Sequence, residues 1–84
     1  MKYFETLKKA RAIDDHLVEV TFKGGRVAIF DCSPYFGTGY YKPLMNPELF
    51  SQAHVSLGDL AWPGDIDIGA DDVWDEARPR AIKR

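Results

Sequence analysis

The clearest period-two stretch in the chain runs from Leu17 to Asp31. Val18, Val20 and Phe22 alternate with Glu19, Thr21 and Lys23, the spacing of a strand with one buried face. Gly24-Gly25 follows, and adjacent glycines supply the positive φ that a tight hairpin turn needs. Alternation then resumes from Arg26 to Asp31. A two-residue turn predicts Lys23 opposite Arg26, Phe22 opposite Val27, Val20 opposite Ile29 and Val18 opposite Asp31. That register puts Phe22, Val27, Val20 and Ile29 on one buried face. Upstream, Lys8 to Ile13 alternates more weakly and Asp14-Asp15-His16 has turn chemistry, so a first strand is expected to pair with the second. Met1 to Leu7 fits either an extension of that strand or a helical turn.

Further along, Ser33-Pro34 reads as an N-cap with proline at the first helical position, opening a short helical turn over Tyr35-Phe36 that Gly37 and Gly39 stop. Asn46-Pro47-Glu48 repeats this logic with an acid in the first turn, and that helix should end near Ser51 or Gln52. Ala53 to Leu57 alternates as a strand, Gly58-Asp59 reads as a turn, Leu60 to Trp62 as the returning strand, and Pro63-Gly64 breaks it. A short acidic helix, Asp71 to Ala77, carries Val73 and Trp74 on its inward stripe and ends at Arg78-Pro79. Trp62 and Trp74 are expected in the core. The pattern as a whole predicts a single α+β domain over residues 1–77: two antiparallel β-hairpins in a curved sheet, with short helices between them and at the C-terminal end. Residues 78–84 form a basic tail expected to be disordered.

Composition narrows the function class. With 84 residues and 45% apolar content the chain makes one small domain, too small for a large internal pocket. One cysteine excludes an internal disulfide framework and fits a reducing compartment. No stretch approaches the run of about 18 apolar residues that a membrane span needs, and the N-terminus lacks an apolar leader core. A cytoplasmic location is expected. The net charge of −2 hides a pattern: residues 1–42 sum to +2, residues 43–77 hold eight acids and no Lys or Arg, and residues 78–84 carry four basic side chains. Such asymmetry points to an interaction surface.

The order of landmarks carries a resemblance. A Gly-tipped hairpin ending in Asp31 is followed by a Pro-containing turn and an aromatic, glycine-bearing loop. Leu44, Asn46-Pro47 and Phe50 then precede a hairpin closing on Trp62-Pro63, with Asp65-Ile66-Asp67-Ile68 before the acidic helix. This series, over roughly residues 8–75, resembles the small bacterial family catalogued as domain of unknown function 2442. The sequence departs from the family pattern in having Gly24-Gly25 where an Asp-Gly type turn is commoner, and in a longer aromatic loop over Tyr35 to Lys42. The resemblance implies a small α+β domain with a curved antiparallel sheet. It further implies an antitoxin-like or regulatory partner role beside another small bacterial protein, with no catalytic residues to carry over. Some members precede a helix-turn-helix segment; with the sequence ending at Arg84, none is expected here.

Candidate chemistry is sparse. Asp65, Asp67, Asp71 and Glu76 stand at positions 1, 3, 7 and 12 of a calcium-loop count, but Gly69 and Ala70 occupy the positions that require a ligand and a glycine. His16, His54 and Cys32 lack the paired short spacing of a zinc site. Cys32 beside a Pro-led turn has the outline of a nucleophile but reads better as a small buried hydrophobe. No catalytic, cofactor-binding or metal-binding residues are assigned, and no enzyme activity or cofactor is expected. The candidate interaction surface is the aromatic loop with the acidic stretch: Tyr35, Phe36, Tyr40, Tyr41, Lys42, Asp65, Asp67, Asp71 and Asp72. A non-enzymatic protein-interaction module is the leading expectation, with an unidentified protein as partner. Two alternatives stand beside it. One is a homo-oligomeric domain or homodimer pairing through Leu17, Ala28 and Phe30. The other is a weak nucleic-acid binder using the basic N-terminal half and tail, the less favoured because the net charge is negative.

Overall fold

Alternation and turn chemistry together build two antiparallel sheets. The computed structural model describes residues 3–79. β1 (Leu7–Ala12), β2 (Leu17–Phe22), β3 (Val27–Asp31) and β7 (Arg78–Pro79) form one sheet in the order β1-β2-β3-β7. β4 (His54–Ser56), β5 (Asp59–Trp62) and β6 (Ile66–Ile68) form the second, in chain order. Two α-helices, α1 (Pro47–Phe50) and α2 (Ala70–Glu76), and two 3-10 turns, Ser33–Tyr35 and Lys42–Met45, complete the described residues. The expected α+β class and both hairpins are present. β6 extends the second hairpin over residues that the pattern left as a lead-in to the helix. Arg78 and Pro79 pair with Ile29 and Ala28, so strand pairing reaches two residues into the stretch read as a tail; residues 80–84, like Met1 and Lys2, lie outside the described residues. No helix among the described residues is long and apolar enough to cross a membrane.

The first hairpin differs from its expected register by one residue. Leu17 pairs with Asp31, Val18 with Phe30, Glu19 with Ile29, Val20 with Ala28 and Thr21 with Val27. The loop therefore has three residues, Lys23-Gly24-Gly25. The Phe22 N–H donates to the Arg26 carbonyl at 2.8 Å and the Gly25 N–H to the Phe22 carbonyl at 2.8 Å. Gly25 takes φ +103°, the left-handed residue that closes a three-residue hairpin. What selects this loop is remote in sequence. The Glu5 carboxylate accepts from the Gly24 N–H at 2.9 Å, and the Thr6 carbonyl accepts from the Lys23 N–H at 2.9 Å. The slip moves every side chain of β3 to the opposite face. Ala28 and Phe30 are fully buried, whereas Val27 is 37% exposed and Ile29 is half-buried. Two of the three residues expected to offer an outer contact for self-association, Ala28 and Phe30, are thus core; Leu17 is half-buried.

Two smaller expectations also change. The helical turn Ser33–Tyr35 has Cys32, not Ser33, at its cap position, without a side-chain cap bond; the Asp31 carboxylate accepts the Ser33 N–H instead, at 2.9 Å. In the second hairpin the turn is Leu57-Gly58, both residues at positive φ (53° and 84°), and Asp59 already belongs to β5, opposite Ser56. By contrast, Asn46 caps α1 as its sequence implies, accepting from the Glu48 N–H at 2.9 Å.

The inner faces of both sheets, α2 and Leu44 of the 3-10 turn Lys42–Met45 close one core around Val18, Val20, Phe22, Phe30, Phe50, Leu60, Ile68 and Val73. Trp62 is buried and its indole N–H donates to the Phe50 carbonyl at 3.1 Å. Trp74 is half-buried, edge-on to Phe22 at 4.8 Å, with the Arg26 guanidinium 4.9 Å over its ring. α2 begins without a cap of its own at Gly69; Asp59, on β5, accepts the Ala70 N–H at 2.8 Å and ties the helix to the second sheet.

Candidate interaction surfaces

The loop after the Ser33–Tyr35 turn folds back so that Tyr40 and Tyr41 land on the outer edge of β6. The Tyr40 hydroxyl donates to the Asp65 carbonyl at 2.6 Å and accepts from the Asp67 N–H at 3.4 Å. The Tyr41 hydroxyl donates to the Asp67 carbonyl at 3.0 Å. The Tyr35 hydroxyl donates to the Glu76 carboxylate of α2 at 2.8 Å. Ring contacts join Tyr40 to Tyr41 at 4.6 Å and Tyr41 to Tyr35 at 5.2 Å, and Phe36 lies edge-on to Phe50 at 6.1 Å. Burial first, then the Glu76 hydrogen bond and charge, raise the Tyr35 phenol; burial, Tyr40 and the charges of Asp67 and Asp72 raise Tyr41.

The structure therefore brings Tyr35, Tyr40 and Tyr41 together with the backbone of Asp65 and Asp67, but as an internal closure. An edge strand presents unpaired N–H and C=O groups to any passing chain, and here phenol hydroxyls occupy them. Phe36 is half-buried, Lys42 is exposed outside this closure, and Asp71 and Asp72 are exposed in the first turn of α2.

The residues considered for metal or nucleophilic chemistry have structural employment. The stretch weighed as a calcium loop is strung along a turn, β6 and α2. Among the described residues, Asp14, Asp15 and His16 are the one group of three with ligand atoms within 4.8 Å of one another. This group is the β1–β2 turn itself. One Asp14 carboxylate oxygen accepts from the His16 and Leu17 N–H groups at 2.9 and 2.8 Å, and His16 Nδ1 lies 2.8 Å from the Asp15 carboxylate. The Asp15 hydrogen bond raises the His16 pKa, while the His16 N–H foremost lowers that of Asp14. Cys32 is fully buried, and burial with the Asp31 charge pushes its thiol up to about 12, far from a thiolate nucleophile.

A second surface was missed in the sequence reading. β1 and β4, each the edge of its own sheet, run side by side, and the Leu7 N–H of β1 donates to the carbonyl of Gly58, in the turn after β4, at 2.8 Å. Gly58 can come this close because a Cβ there would sit 2.9 Å from Thr6 Cβ. Past that bond a cleft of about 550 Å³ opens, lined by Lys8, Lys9, Ala10, Arg11, Glu19, Thr21, His54 and Val55. The Ile13 N–H bonds to Leu17, so by alternation Arg11 and Lys9 direct their backbone groups to β2 while Ala10 directs its own outward. Likewise Ser56 faces Asp59 across the tight turn, leaving Val55 turned from β5. A register shift between Leu7 and Lys9 bulges Lys8. Arg11 holds Glu19 at 3.0 Å. The signal that could have found this cleft is Lys8-Lys9-Ala10-Arg11 on a predicted edge strand; its other wall, His54 and Val55, lies more than 40 residues away in the chain.

No curated protein and no solved structure matches the chain. A family model does, the one described as protein of unknown function DUF2442, over residues 7–79, which includes both hairpins, the tyrosine closure and α2. With nearly its whole length matched, the chain belongs to the DUF2442 family.

Proposed function

We infer that this domain is a non-enzymatic protein-interaction module that acts as an antitoxin-like or regulatory partner of another small protein. The observation that carries the reading is the cationic cleft where the edges of β1 and β4 meet, on a domain whose β6 edge is closed by its own tyrosines. A groove lined by exposed cationic side chains is a surface suited to meeting another chain. The side chains that could do chemistry support the same reading: His16 and Asp14 build a turn, and Cys32 is buried with its thiol protonated.

The test is crosslinking of the tagged chain in its native host, followed by native mass spectrometry of the purified complex. A single protein recovered at fixed stoichiometry is the expected result. Recovery of the chain alone, under conditions that preserve complexes, overturns the reading.

A further inference from the structure

The tyrosine closure of β6 copies the bonds of a strand. In parallel pairing, a residue of the added strand gives its N–H to the carbonyl just before the residue it faces and takes the N–H just after it. The next outward N–H of the added strand then goes to the carbonyl just after the faced residue. With Ile66 as the faced residue, the Tyr40 hydroxyl makes the first pair of bonds, to the Asp65 carbonyl at 2.6 Å and from the Asp67 N–H at 3.4 Å. The Tyr41 hydroxyl makes the next, to the Asp67 carbonyl at 3.0 Å. β6 is an edge of its sheet, so these hydroxyls hold the places of a further strand. They hold them less firmly at the Tyr40 end. The bond from the Asp67 N–H is long, and Tyr40 is 52% exposed, whereas Tyr41 is half-buried against the core. A Cβ at Gly37 or Gly39, in the same loop, would meet nothing within 4 Å. Charge sets what can replace the hydroxyls. Asp65 and Asp67 around β6, and Asp72 and Glu76 on α2, are exposed, and residues 43–77 hold no Lys or Arg to offset them. A strand bearing Lys or Arg meets carboxylates there, and an acidic strand is repelled.

We propose that Tyr40 and Tyr41 form a latch over a strand-addition site, and that an extended basic segment of a partner protein displaces them and pairs parallel with β6. This deepens, and rests on, the interaction reading above, to which it adds a second surface of opposite charge.

The experiment uses the full chain, isotope-labelled, titrated with a capped heptapeptide of alternating Lys and Val to millimolar concentration at low salt. The parent should show saturable shifts of the Asp67 amide resonance. Tyr40→Ala/Tyr41→Phe, which removes both hydroxyls and keeps the half-buried ring, should bind at least tenfold more tightly, because the latch no longer competes. If that variant fails to fold, Tyr40→Phe alone carries the comparison. A Glu-Val peptide should bind at least tenfold more weakly than the Lys-Val one, and Asp65→Asn/Asp67→Asn should erase the preference; Asp65 lies at φ 62°, which asparagine tolerates. A nitroxide at the peptide's N-terminus should broaden the Asp65 amide more than that of Gly69, as parallel pairing requires. Five outcomes overturn the proposal: no shift at Asp67 in the parent, equal binding by parent and variant, equal binding of the Glu-Val peptide, broadening at the Gly69 end instead, and self-association of the variant that saturating Lys-Val peptide leaves intact. The last would assign the edge to a second copy of this chain. If a stoichiometric partner from the native host binds Asp65→Asn/Asp67→Asn undiminished, the latch assignment falls and the interaction reading stands; if no such partner exists, the interaction reading falls.

Discussion

Phe30 and Val27 separate the two registers of the first hairpin by energy. In the observed register Phe30 is fully buried against the core while Val27 is 37% exposed; in the slipped one, Val27 and Ile29 face inward and Phe30 faces water. Removing a fully buried phenylalanine side chain costs about 3–5 kcal/mol, the lost transfer energy plus the cavity left behind. Phe30→Ala should therefore consume much of the stability of an 84-residue domain, about 4–12 kcal/mol at typical per-residue values. Val27→Ala should change it by about 0.5 kcal/mol or less, as surface substitutions do. Urea unfolding followed by tryptophan fluorescence reads both, with the m value checked for constancy. If Phe30→Ala fails to fold, Phe30→Leu keeps the comparison alive at a cost of about 1 kcal/mol. A Val27→Ala loss above about 2 kcal/mol, with Phe30→Leu near neutral, would refute the three-residue loop.

Four further outcomes are expected. Tyr40→Phe and Tyr41→Phe, which uncover the β6 edge, should each cost about 0.5–1.5 kcal/mol, and the double variant should self-associate more strongly than the parent in sedimentation velocity. Leu57, 98% exposed at φ 53°, strains its turn: Leu57→Asn should raise stability by about 0.5–1 kcal/mol. Gly58→Ala, with a Cβ 2.9 Å from Thr6 and φ +84°, should lower it by more than about 1 kcal/mol; thermal melts read both signs. In the β1–β2 turn, His16 has a pKa raised above its ordinary 6.5 in the folded state, so its contribution is complete below pH 6.5 and fades as pH rises through the raised value. Asp14 is lowered below its ordinary 3.8, so its contribution is present above pH 3.8 and fades as pH falls through the lowered value. The urea midpoint should decline just above pH 6.5, and in His16→Ala that decline should vanish; an unchanged slope would sever the link.

Elements were legible where one face is buried and the turn residues are local. The period of β2, the Asn46 cap and the Gly-containing turns all speak through neighbours in sequence. The register of the first hairpin was not legible, because Gly24 gives its N–H to Glu5, 19 residues away. Both Gly24-Gly25 and Lys23-Gly24-Gly25 can turn a chain, and the choice rests on that remote carboxylate and on where Phe30 finds room. The aromatic loop could be seen as unusual but not as an edge cover, since the partners of Tyr40 and Tyr41 are backbone atoms of Asp65 and Asp67. Backbone atoms leave no compositional mark. The cleft between β1 and β4 stayed hidden for a related reason: half of it is a pair of strands meeting edge to edge, which no local pattern encodes.

The buried Cys32 makes the protein its own stopwatch. As the chain's one thiol, fully covered where β3 ends and its N–H reaches the His16 carbonyl at 2.8 Å, it meets a thiol reagent only when that end of the sheet opens. Labelling speed on the unmodified chain thus reports the frequency of opening, without denaturant and inside a lysate. A partner that grips the folded domain slows the clock by mass action, so occupancy can be read before the partner has been identified.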